Sequence, residues 1–141
     1  MFLGEYQHSL DAKGRVILPA KFRDQLEGGA VMARALDGCL AVYPVEEFQR
    51  VASNLQEARA RGATERQAAR SYFAGAVEII PDKQGRVAIP GSLRTFAKLE
   101  KEVVVAGNFD HLEIWDKETF TQRDQEGSAL IVGGEGINDF M

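Results

Sequence analysis

The sequence Asp11-Ala12-Lys13-Gly14-Arg15-Val16-Ile17-Leu18-Pro19 returns 71 positions later as Asp82-Lys83-Gln84-Gly85-Arg86-Val87-Ala88-Ile89-Pro90, with Asp, Gly, Arg, Val and Pro all in register. A second landmark follows at a displacement of 72, where Leu40-Ala41-Val42-Tyr43 matches Leu112-Glu113-Ile114-Trp115 and Phe48 matches Phe120. Internal repetition of this kind constrains a fold more than any local propensity, because each copy must adopt the same supersecondary unit and share a core with the other. The chain is therefore read as two related halves: residues 1 to 50 and 76 to 123, a helical connector over 51 to 75, and a tail over 124 to 141. At 141 residues it is long enough for one domain or two small ones.

Each half reads in the same order. An alternating segment enters the Asp-x-x-Gly turn, and Arg-Val-x-Leu/Ile then forms a strand, so the two strands are expected to pair as a hairpin. The Asp carboxylate can accept bonds from backbone amides beyond it, and Gly14 and Gly85 can take the positive φ that other residues resist; Asp11, Gly14, Asp82 and Gly85 are thus expected to shape the turns. Pro19 and Pro90 end the strands by removing a ladder donor. Short helices are expected over residues 20 to 26 and 91 to 97, followed by strand pairs around Val31–Arg34 with Leu40–Tyr43 and Val103–Ala106 with Leu112–Trp115. From Glu46, apolar positions at helical spacing predict an amphipathic helix. Thr64-Glu65-Arg66-Gln67 has capping-box form and predicts a second one ending near Gly75. Beyond Asp124 no period is sustained, and an irregular tail is expected.

Charge is unevenly distributed. The formal net charge is −4, yet residues 1 to 109 hold 15 Lys or Arg against 13 Asp or Glu, and residues 110 to 141 hold 2 against 8. An acidic total does not prevent a basic face from meeting a polyanion. The single cysteine, Cys39, cannot form an intrachain disulfide and points to a reducing compartment such as the cytosol. The opening residues lack a basic n-region, and no apolar stretch approaches the length of a membrane span, so neither a signal peptide nor a membrane partner is expected.

The opening Met1-Phe2-Leu3-Gly4-Glu5-Tyr6-Gln7-His8-Ser9-Leu10-Asp11-Ala12-Lys13-Gly14-Arg15, the second Asp82-Lys83-Gln84-Gly85-Arg86 and the Leu112-Glu113-Ile114-Trp115 segment closely resemble the MraZ family of bacterial transcriptional regulators, over residues 1 to about 123. The resemblance implies an α+β, mainly β fold, made of two tandem AbrB-like swapped-hairpin units (SpoVT-AbrB type). These would form an intrachain pseudo-dimeric β barrel with flanking helices. It also implies a ring-shaped homo-oligomer that binds short G-rich direct repeats in double-stranded DNA upstream of its own division and cell-wall operon, as a repressor in the cytoplasm, associated with the nucleoid. The second motif departs from the first in having Gln84 where the first has Lys13.

The expected DNA contacts are Arg15 and Arg86, beside the two turns, with Lys13, Lys83, Lys21 and Arg23. Arg can donate two hydrogen bonds to guanine O6 and N7, and a β ribbon fits the major groove. The competing reading is that each Arg pairs with its own motif Asp and only fixes the turn. A duplicated Asp also raises an aspartic-protease dyad, but the cationic neighbours favour two ionised carboxylates over a shared proton, so no enzyme is expected. Cys39, His8 and His111 are too scattered for a metal or nucleophile site, and no phosphate-cradling loop appears, so neither cofactor nor small-molecule substrate is expected. Tyr43, Phe48, Trp115 and Phe120 recur at equivalent places and are read as packing residues. Two other classes remain beside the regulator: a structural ring-forming interaction module, and an antitoxin-like AbrB regulator.

Overall fold

The computed structural model describes residues 1–141. Strands β1 (Glu5–Ser9), β2 (Arg15–Ile17), β3 (Ala30–Arg34) and β4 (Leu40–Pro44) belong to the first half, with helix α1 (Ala20–Arg23) between β2 and β3. Helices α2 (Val45–Ala58) and α3 (Ala63–Gly75) lead to the second half, which holds β5 (Val77–Ile79), β6 (Arg86–Ala88), α4 (Gly91–Phe96), β7 (Glu102–Gly107) and β8 (Leu112–Asp116). Helix α5 (Lys117–Gly133) follows β8, and a single 3-10 turn at Asn138–Phe140 comes after it.

Six strands form one antiparallel sheet in the order β1-β7-β8-β4-β3-β5, and β2 pairs with β6 in a separate ribbon. The order reads the same from either end once each strand is replaced by its counterpart in the other half, so the repeat appears as a pseudo-twofold axis between β4 and β8. The expected pairs β3·β4 and β7·β8 form, and each carries a left-handed residue at its connection, Asp37 (φ 68°) and Phe109 (φ 66°).

The expected hairpin within each motif does not form. Strand β1 pairs with β7 of the other half, in register Glu5 with Ala106, and β5 pairs with β3. The Asp-x-x-Gly turns therefore carry the chain out of the sheet and into the ribbon. A closed barrel is absent for the same reason: three-residue strands bounded by a turn and a proline are too short to join both sheet edges. Nor is the fold mainly β, since helix exceeds strand, 45% against 26%. It is α+β with a mostly antiparallel sheet.

Two cores lie on opposite faces of the sheet. The larger joins Leu40, Val42, Val103, Val105, Leu112 and Ile114 to Val16 and Val87 of the ribbon and to Phe22 and Leu93 of α1 and α4, all buried. The smaller gathers Cys39, Val104, Ala106 and Trp115, with Phe120 of α5 against them. The recurring aromatics pack as pairs in both halves, Tyr43 with Phe48 (6.3 Å) and Trp115 with Phe120 (6.1 Å).

Two further expectations are corrected. Thr64 does not cap α3, which starts one residue earlier, behind Gly62 without a side-chain cap. The segment after Asp124 is helical as far as Gly133. Asp116 accepts bonds from the Thr119 amide (3.1 Å) and hydroxyl (2.9 Å), and Gly134 ends the helix in a left-handed cap (φ 72°). Sequence periodicity missed it because periodicity records a buried face, and Thr121 to Glu126 are all exposed.

Candidate nucleic-acid interface

The two turns are superimposable in their bonding. One oxygen of Asp11 accepts from the backbone amides of Lys13 and Arg15, both at 2.9 Å, and the other accepts from Arg15 Nε at 2.7 Å. Asp82 does the same with the amides of Gln84 and Arg86, both at 2.9 Å, and with Arg86 Nε at 2.8 Å. The backbone bond from the arginine amide is the chief reason both carboxyls lie below the usual carboxylate range, with the guanidinium adding to it. Both aspartates are therefore ionised, each engaged by its own turn, and a shared proton has no place in this geometry. Gly14 and Gly85 hold φ of 72° and 80°, the conformation that makes glycine necessary there.

Each Arg thus pairs with its own Asp, as the turn-fixing reading expected. The pairing uses Nε alone, and no protein acceptor engages either pair of terminal nitrogens. A guanidinium held by one nitrogen keeps its outer edge, with Nη1 and Nη2, for a second partner. Turn fixing and ligand contact are compatible.

The ribbon register decides where those edges lie. Val16 faces Val87 on the core side and both are buried. Arg15 faces Ala88 and Arg86 faces Ile17 on the other side, where Ile17 and Ala88 are exposed. The two arginines thus share one solvent-facing side of a two-stranded ribbon as diagonal neighbours, about 7–8 Å apart at the backbone.

The remaining expected cations are placed unequally. Lys13 and Lys83 stand exposed on the two turns, one on each. Lys21 projects its ammonium over the rings of Tyr6 (5.1 Å) and Phe22 (5.2 Å). Arg23 donates through Nε to the Leu18 carbonyl at 3.0 Å and covers Gly85. Its counterpart Arg94 bonds the Ile89 carbonyl and covers Gly14. Sequence reasoning missed Arg94, although Arg23 and Arg94 each lie four residues after the motif proline, and the 71-residue displacement that joined the motifs joins them too.

Residues 1–71 and 72–130 each match the family described as MraZ protein, antitoxin-like, one match on each half. A protein of Salinispora arenicola named transcriptional regulator MraZ is 49% identical over 137 residues, covering 95% of this chain and 96% of its own. Proteins with the same name from Pediococcus pentosaceus and Desulforamulus reducens are 46% and 43% identical. Their matches cover 89% and 92% of this chain, and 88% and 91% of their own lengths. The relatives are thus a class of transcriptional regulators, not enzymes. This chain belongs to the MraZ family.

Proposed function

We propose that this chain is a sequence-specific DNA-binding transcriptional regulator, a repressor of its own division and cell-wall operon, that binds short G-rich direct repeats as a ring-shaped homo-oligomer. It works in the cytoplasm, associated with the nucleoid. The single observation that carries the reading is the ribbon register, which sets Arg15 and Arg86 on one exposed face with their outer edges unengaged. Their separation corresponds to about two base-pair steps of 3.4 Å, so both guanidinium groups can address neighbouring guanines in one major groove. Lys13 and Lys83 supply phosphate contacts at the turn tips, and Lys21 and Arg23 add positive charge behind them.

The exchange of β1 and β5 between halves supports the AbrB-like swapped-hairpin reading of the two units. One ribbon per subunit offers few base contacts, so adjacent subunits of a ring, each engaging one repeat, gain avidity that one subunit lacks. Titration of labelled promoter DNA, against a scrambled competitor at equal salt, tests the function. Specific retention that weakens steeply with ionic strength is expected. Equal affinity for the scrambled duplex would reject the sequence-specific regulator in favour of an interaction module.

A further inference from the structure

We propose that Arg94 and Arg23 are crossed positioning residues, Arg94 of the second half orienting Arg15 and Arg23 of the first half orienting Arg86. The inference rests on the DNA-binding reading above and adds residues to that site.

The geometry forms two closed circuits. The Ile89 amide donates to the Gly14 carbonyl at 3.0 Å, the Ile89 carbonyl accepts from Arg94 Nη1, and the Arg94 guanidinium lies over Gly14, where a Cβ would collide with it. In the mirror circuit the Leu18 amide donates to the Gly85 carbonyl at 2.8 Å. The Leu18 carbonyl accepts from Arg23 Nε, and that guanidinium fills the space a Cβ on Gly85 would need. Each turn glycine thus serves twice, by adopting the left-handed dihedral angle and by leaving a bare surface on which the flat cation sits.

The residue after each glycine is the arginine whose outer edge faces solvent. A planar, weakly hydrated guanidinium can press on a peptide surface while donating sideways, which a tetrahedral ammonium cannot. Removing it leaves the turn backbone open on one side and lets the following arginine change height and direction. Because β2 and β6 are antiparallel, each brace comes from the half that does not own the turn. A misaligned half therefore disturbs both arginines.

The test uses the full chain, with Arg94→Met, Arg94→Lys and Arg23→Met. Amide hydrogen exchange without DNA should accelerate about tenfold at Gly14 and Arg15 in both Arg94 variants, with Gly85 and Arg86 unchanged. In Arg23→Met the pattern should reverse. Sheet amides such as Val104 and Val105 serve as the folding control, and Lys should not rescue. Binding to a duplex of the protein's own upstream repeats should fall about tenfold in Arg94→Met, and much less when Arg15 is already Ala.

Acceleration at a variant's own turn, at both turns or at neither overturns the crossed brace. Full rescue of affinity by Arg94→Lys also overturns it, because charge alone would then account for Arg94. Crossed acceleration together with unchanged DNA affinity in Arg15→Ala and Arg86→Ala would instead overturn the DNA reading and leave the brace standing.

Discussion

The two halves are alike on the ribbon side of the sheet and unlike on the other. At the turns, every side-chain hydrogen bond of Asp11 has its counterpart at Asp82 to within 0.1 Å. On the helix side, Cys39 stands where the second half has His111. Cys39 is buried against Val104, Ala106 and Trp115, and burial pushes its thiol up to about 12. His111 instead stacks on Tyr43 at 4.9 Å and reaches Asp110 through Nδ1 (2.6 Å) and Glu113 through Nε2 (3.2 Å). Helix α3 covers Phe48 through Tyr72 and Phe73, whereas Phe120 of α5 packs edge-on against Trp115. The contrast shows where two copies must be interchangeable: a ribbon made of one strand from each half keeps its turn aspartates, glycines, arginines and core valines matched, whereas each outer surface is completed by its own means.

The largest test of this contrast concerns the shared core. Leu18 and its counterpart Ile89 are both essentially inaccessible, at 0% and 1% exposure. Truncating either to Ala should cost about 2–5 kcal/mol in denaturant unfolding, and by similar amounts. A large inequality would break the symmetry where it is claimed to be strictest. Next, Arg15→Ala and Arg86→Ala should each remove about 1–3 kcal/mol of operator binding, the value of one bidentate base contact, with oligomer size unchanged by light scattering. Loss of the folded assembly would instead assign both arginines to turn structure alone.

Smaller effects follow at the glycines and on the helix side. Gly14→Ala and Gly85→Ala should each cost about 1–2 kcal/mol from the left-handed backbone, with displacement of the seated guanidinium adding to it. Thermal melts of the two variants should agree. The smallest effect is one-sided. Burial opposes charge on His111, but its bonds to Glu113 and Asp110 outweigh that and hold its pKa above the usual 6.5. Its contribution is complete below 6.5 and is lost as pH rises through the folded value. Burial likewise opposes charge on Glu113, yet bonds from His111, Trp115 and Asn108 hold its carboxyl below the usual 4.5, so its contribution is lost as pH falls through that lowered value. Stability measured between about pH 6 and about pH 8, below the range where thiols ionise, should therefore decline, and His111→Gln should flatten the decline while Cys39→Ala leaves it in place.

The sequence made the repeat, the turns, the later strand pairs and the family legible because these depend on residues close in the chain or on direct identity between copies. Strand partners were harder to read. The Asp-x-x-Gly turn looks like a hairpin connection, and nothing local reveals that β1 and β2 enter different sheets. Helix α5 stayed hidden because it projects without burying a periodic face, and Arg94 because its role is defined by a glycine 80 positions earlier. Arg15 and Arg86 were legible as cations beside turns, but the register that sets them on one face belongs to the pairing of β2 with β6.

The pairing of Glu5 with Ala106 also has a consequence for how the chain is made. During translation, β1 leaves the ribosome roughly 100 residues before its partner exists, a wait of about 5–20 s at about 5–20 residues/s. Through that interval its unpaired edge is exposed to other nascent chains, and the molecule cannot complete its sheet until the second half has been synthesised.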